Sequence, residues 1–142
     1  MQCHEPGDLL ALYGSLRRGE QAYREFALEN RLQFVSPCII AGNLHDFGEW
    51  PGLVEGEGRV TGELFRVIEL ETIGLLDNFE GCNQVNPDEG LFIRRLVPLL
   101  EPARKRAFVY FYNQDPACAP VISSGDWSAY IRSKNVHRCS RG

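Results

Sequence analysis

A chain of 142 residues, 44% hydrophobic and 24% charged, is long enough to bury one core and too apolar to stay disordered. Its net charge of -4 argues against nucleic acid as the main partner, because a phosphate-binding surface needs a basic excess. Five widely spaced cysteines without a Cys-x-x-Cys pair disfavour a disulfide framework and a structural zinc site; Met1 to Asp8 does not read as a secretory signal, and no stretch approaches the roughly 20 apolar residues of a membrane span, so the expected setting is cytoplasmic.

The first element is a short buried strand, Leu9 to Tyr13, which leads through Tyr13-Gly14-Ser15-Leu16 into a loop at Arg17-Arg18-Gly19. Glycine at such a strand end lets successive N–H groups point into one concavity that suits an anion or an oxyanion; the local alternative is an ordinary turn. A helix is expected from Gln21 to Glu29, then an extended segment from Leu32 to Leu44 with Pro37 at an edge or bend. Gly48 to Gly58 has turn composition, and Arg59 to Ile68 reads as a strand kinked at Gly62. The clearest helix is Glu69 to Glu80, acidic at its start and followed by Gly81 as a C-terminal cap. A polar loop from Asn83 to Gly90 precedes two strands, Leu91 to Leu100 and Ala103 to Tyr112, joined at Glu101-Pro102. The order implies a mixed α/β fold, and the long kinked strands favour a small, strongly curled β-barrel with flanking helices. Residues 1–130 form the expected domain, and 131–142, with Arg132, Lys134, Arg138 and Arg141, read as a basic, mobile tail.

Glu80 stands out physically. It shares a helix face with Ile73 and Leu76, so its carboxylate is aimed at the core, where desolvation and the negative end of the helix would raise its pKa toward neutrality. The alternative is that it reaches water from a fraying last turn. Asp77 lies nearby as an alternative carboxylate, and reads more readily as capping or solvating the outer edge of the same helix. Gly14 to Gly19 has the glycine spacing of a phosphate loop but Glu20-Gln21 where lysine and a hydroxyl residue are required, and Ser15 lacks the Gly-x-Ser-x-Gly context of a hydrolase nucleophile. Cys82 could pair with His45 as a thiol–imidazole couple, although such a cysteine is more often a small apolar residue. Arg94, Arg95, Arg104, Lys105 and Arg106 read as a solvated basic face, and three scattered histidines give no basis for a metal site.

Together, Leu12 to Gly19, Trp50 to Val54, Val60-x-Gly62-Glu63-Leu64-Phe65, Leu76-Asp77-Asn78-Phe79-Glu80-Gly81, Phe92-x-Arg94, Ala107 to Tyr112 and Ser124-Gly125-Asp126-Trp127 resemble, in order, the gamma-glutamylcyclotransferase-like superfamily, especially its small gamma-glutamylamine cyclotransferase-type members. The resemblance covers roughly residues 9 to 130. It implies an enzyme that releases an amine or amino acid from a gamma-glutamyl amide as 5-oxoproline forms, with no cofactor and no metal. It places the catalytic glutamate on Glu80 and the substrate cradle on Tyr13, Gly14, Ser15 and Leu16, with Tyr110 beside the cavity. Phe92 and Trp50 depart from the usual tyrosines of the pattern, so hydroxyl contacts are not expected there. The implied partner is a small gamma-glutamyl substrate, with neither nucleic acid nor membrane; oligomeric state stays open. The alternative is a non-catalytic module of the same fold that binds a small carboxylate or a protein.

Overall fold

The computed structural model describes residues 8 to 134 except 118, and beyond them only the backbone as far as 141. Cys3, His4, Cys118 and the side chains from Asn135 onward lie outside the described residues. Five strands and three helices follow in the order β1 (Leu9–Leu12), α1 (Gln21–Glu25), β2 (Leu32–Asp46), β3 (Pro51–Val67), α2 (Glu71–Glu80), β4 (Phe92–Pro98), β5 (Arg106–Tyr112) and α3 (Trp127–Arg141). Among the described residues, no helix is long and apolar enough to cross a membrane.

The sheet order is β2-β3-β1-β5-β4, with β1 at the centre, antiparallel to β3 and parallel to β5. The four-residue run Leu-Leu-Ala-Leu suits that place because a central strand is covered on both faces. Its side chains alternate between two cores: Leu10 and Leu12 join Phe65, Ile73 and Leu76 on the α2 side, whereas Ala11 and Tyr13 join Leu64, Ile122 and Trp127 on the α3 side. Strand β5 divides in the same way, with Phe108 and Tyr110 on the first side and Val109 and Phe111 on the second.

The closed, barrel-like sheet expected from the long strands does not form. Its edges, β2 and β4, share no ladder; the chain just past β4 touches β2 at an isolated bridge, where the Ile39 N–H donates to the Glu101 carbonyl at 2.8 Å. Strand β4 ends at Pro98 before it reaches β2, and the contact is made from the following residues, where the Leu100 N–H donates to the Ile39 carbonyl at 2.9 Å. Pro37 does lie on an edge strand, as its chemistry requires. The turn expected over Gly48 to Gly58 shrinks to about its first residues, because β3 starts at Pro51 and pairs with Asp46. Stacking of Phe47 on Trp50, with centroids 4.7 Å apart, and the Phe47 N–H bond to the Trp50 carbonyl close this tight connection.

Helix α1 is shorter than expected. Ala27 adopts a left-handed conformation at φ 50° and a 3-10 turn follows over Leu28–Asn30, which sends the wholly buried Leu28 into the core. Residues 131 to 134, the start of the segment expected to be a mobile tail, continue α3. Ile131 packs against the core, and Lys134 bonds the buried Asp46 at 2.8 Å, so covered apolar surface and an ion pair hold this part of the helix. The helix begins at a side-chain cap: Asp126 accepts the Ala129 N–H at 3.1 Å. Gly125 precedes it at φ 68°, packed so closely on the Arg59 carbonyl that no side chain fits.

Candidate active site

A pocket of about 130 Å³ opens where the end of β1, the start of β3, the end of α2 and the start of β4 converge. Residues Ala11 to Leu16 line one wall, Trp50 and Pro51 a second, and Phe79, Glu80, Leu91 and Phe92 a third, with Tyr110 at the base. The fold therefore brings all six candidates, Tyr13, Gly14, Ser15, Leu16, Glu80 and Tyr110, to one cavity.

The loop after β1 is held from several directions. Arg17 pairs with Asp126 at 3.0 Å, which ties it to the cap of α3. Arg18 binds Glu63 through its backbone N–H at 2.8 Å and its guanidinium at 3.0 Å, and lies 3.4 Å over the Phe34 ring. The Arg17 N–H bonds the Gly14 carbonyl at 3.1 Å. By contrast, no hydrogen bond runs from the N–H groups of Gly14, Ser15 or Leu16 to any other described residue. These donors are left to whatever enters the pocket.

Gly14 is required for a different reason from the one its position at a strand end suggests. It does not have a positive φ; a Cβ there would lie 2.8 Å from Pro51 Cγ. Gly14→Val should therefore push the loop off Pro51 and lower stability by roughly 1–3 kcal/mol, as thermal unfolding would show. Tyr13 contributes backbone rather than hydroxyl. Its O–H donates to the Tyr110 carbonyl at 2.6 Å and accepts the Leu53 N–H at 3.2 Å, bracing β1, β3 and β5 together. Burial, with the charge of Glu80 added, pushes its phenol well above the ordinary value.

Glu80 is the last residue of α2, and Gly81 caps the helix in the left-handed region at φ 75°. Its carboxyl is pushed up from 4.5 to about 7, first by burial and second by the Asp77 carboxylate one turn earlier in the helix. That raised value has a stability consequence. A carboxyl with a folded-state pKa above its unfolded value adds stability that is fully present below about 4.5 and lost as pH rises through about 7. Unfolding free energy from urea titrations should therefore fall over this window by up to about 3 kcal/mol from this group. Glu80→Gln should abolish that part of the slope and be the more stable protein at pH 8.

Two charged residues behind Glu80 lie elsewhere than the sequence suggests. Asp77 does not solvate the outer edge of α2, and Arg94 is not part of a solvated face: both are buried, at 1% and 3% exposure. Arg94 donates to both Asp77 oxygens at 3.0 and 3.2 Å, while Tyr110 O–H and Gln84 Nε2 donate to the same carboxylate at 2.7 and 2.9 Å. The Tyr110 hydroxyl is thus committed to Asp77, and only its ring and edge face the pocket. A sequence signal existed for both. Asp77 follows Ile73 by four residues on the apolar stripe, and Arg94 alternates with Phe92 on the inner face of a strand. Register then pairs Arg94 with Tyr110, so both reach the helix from adjacent strands.

Among the described residues, no hydrogen bond joins Cys82 to His45 as a thiol–imidazole couple would require. Burial, with Asp77 and Glu80 adding to it, pushes the Cys82 thiol up to about 12, and the His45 ring bonds the Ala119 carbonyl at 2.9 Å. Among the described residues, no group of three or more His, Cys, Asp or Glu is placed to hold a metal ion. Phe92 and Trp50 both line the pocket, where they present rings, packed edge to face at 5.6 Å.

Comparison with known proteins finds relatives in sequence and in fold. A protein of Vibrio cholerae serotype O1, provisionally named a gamma-glutamylcyclotransferase, is 34% identical over 120 residues, covering 84% of this chain and 94% of its own. The crystal structure of an uncharacterized protein from Pyrococcus horikoshii superposes with a TM-score of 0.66 at 25% identity, covering 92% of this chain and 97% of the other. That of a mouse AIG2-like protein shares the fold, with a TM-score of 0.62 at 21% identity over 82% and 86% of the two chains. The sequence model of the family described as "Gamma-glutamyl cyclotransferase, AIG2-like" matches residues 10–129, so the chain belongs to that family.

Proposed function

We propose that this protein is a gamma-glutamyl cyclotransferase that cleaves a gamma-glutamyl amide and forms 5-oxoproline, with Glu80 as the proton-transfer group. The observation that carries the reading is that Glu80, its pKa raised to about 7, lines the same small pocket as backbone N–H groups that have no hydrogen-bond partner among the described residues. The substrate supplies its own nucleophile, the α-amino group, so no serine, cysteine or metal is needed.

In this mechanism the α-ammonium first gives one proton to the Glu80 carboxylate. The freed nitrogen attacks the γ-carbonyl carbon, and the carbonyl electrons move to oxygen. Glu80 then passes its proton to the leaving nitrogen as the C–N bond breaks and the carbonyl re-forms. The ring nitrogen sheds its extra proton through the same carboxylate to solvent, and 5-oxoproline and the free amine depart. A group titrating near neutrality suits both transfers. The N–H groups of Gly14, Ser15 and Leu16 would hold the substrate carboxylate or the developing oxyanion. Folding the substrate for ring closure supplies the rest; held near-attack geometries contribute about 7 kcal/mol or more.

Release of 5-oxoproline from a panel of gamma-glutamyl amides, followed by liquid chromatography, tests the reading. Because the base form of Glu80 predominates only above its pKa, kcat/KM should climb tenfold per pH step below about 7 and level off above it. Absence of turnover for every amide would leave the chain as a binding module.

A further inference from the structure

Beyond Glu80 the pocket mouth has a composition that holding a gamma-glutamyl group does not explain. Phe79 and Leu91 line it, yet are 44% and 41% exposed, so their outer faces meet whatever projects from the cavity. Both are fixed. Phe26 packs edge-on against Phe79 with centroids 5.0 Å apart, while the Leu91 N–H bonds the Gly81 carbonyl at 3.0 Å and the Leu91 carbonyl accepts the Asn113 N–H at 2.9 Å. Leu91 is thereby hung directly beside the residue that follows Glu80. Trp50 supplies a further apolar surface, stacked on Phe47.

No Lys, Arg or His lines this pocket among the described residues. The arginines on the surrounding elements are committed: Arg17 to Asp126, Arg18 to Glu63 and Arg94 to Asp77, each at 3.0 Å. Across Ser15 a second groove of about 360 Å³ begins, and it carries Glu20 and Glu49; Lys134, which also lines it, is bound to Asp46. A leaving group with a carboxylate of its own would face hydrocarbon on one side and carboxylates on the other, with no uncommitted cation among the described lining residues to offset lost hydration.

We propose that the amine released by this protein is small, apolar and free of any charged group besides its reacting nitrogen, an alkyl- or arylamine rather than an amino acid or peptide, and that Phe79 and Leu91 select it. The inference rests on the cyclotransferase reading and adds the class of substrate. The gamma-glutamyl half sits between the loop and Glu80, and the hydrocarbon of the leaving amine covers Phe79 and Leu91. A few methylenes placed against such a wall separate substrates by factors of about 10 to 200.

Three substrates of one chain length test this: the gamma-glutamyl amides of butylamine, 4-aminobutyrate and putrescine, which end in a methyl, a carboxylate and an ammonium group. The butylamide should exceed the 4-aminobutyrate amide in kcat/KM by about tenfold or more. Equal or reversed values would overturn the inference while leaving the cyclotransferase reading intact, and so would a clear preference for the putrescine amide, which would send the leaving group to Glu20 and Glu49. Leu91→Arg should raise the ratio of carboxylate-ended to methyl-ended turnover at least tenfold, and Leu91→Gln, of similar bulk without charge, should not raise turnover of the carboxylate-ended amide. An unchanged ratio in Leu91→Arg would remove Leu91 from the selection. Failure of all three amides to yield 5-oxoproline would refute the cyclotransferase reading, and the inference with it.

Discussion

Glu80→Gln is expected to lower kcat for 5-oxoproline release by about 10²- to 10⁴-fold, the range that a positioned general acid–base contributes. Glutamine keeps the length and planarity of the side chain and removes only its capacity to carry a proton. The pocket should therefore survive: the variant should bind 5-oxoproline within a few-fold of the parent, and above pH 7 it should be the more stable protein, since it no longer places a charge beside Asp77. Loss of turnover together with gain of stability is a combination that a merely structural glutamate would not produce. Retention of kcat within a factor of a few would show that the proton moves through another group.

The second large effect lies behind the pocket. Removing one member of the buried Asp77–Arg94 pair, as in Arg94→Ala, should cost about 3–5 kcal/mol in urea or thermal unfolding, because the partner charge is left without compensation in a dry site. Replacing both, as in Asp77→Leu with Arg94→Met, should cost less than Arg94→Ala alone, and comparison of the single and double variants gives the coupling. Asp77→Asn has a separate signature. Asp77 is the second cause of the raised Glu80 value, so neutralising it should move the acid limb of kcat/KM to lower pH. Destabilisation without that movement would make Asp77 a structural residue only.

The helix from Glu71 to Glu80 and its cap could be read from the chain because an apolar stripe, acidic residues at the start and a glycine at the end are local properties of ten consecutive residues. The same holds for the buried first strand and for the inward aim of Glu80. Asp77 and Arg94 carried the same kind of signal, four residues after Ile73 and two after Phe92, but a charge on an apolar face has meaning only when its partner is known. Their partnership spans 17 residues and depends on β4 pairing with β5 in the register that sets Arg94 beside Tyr110.

The chain by itself determined the mixed α/β composition, the order of the main elements, Glu80 as a core-facing carboxylate and the loop after the first strand as its companion, since each follows from local periodicity, turn chemistry or motif. Only the tertiary structure decided that the sheet stays open, that α3 continues where a tail was expected, and that Gly14 is demanded by the approach of Pro51 rather than by its own backbone angles. It also decided that the Asp77 charge adds to burial in raising the Glu80 carboxyl, because the Arg94 and Tyr110 bonds that keep Asp77 in place join segments far apart in sequence. Sequence patterns record what each residue prefers locally; which preferences meet is set by strand order and register, and chemistry begins where they meet.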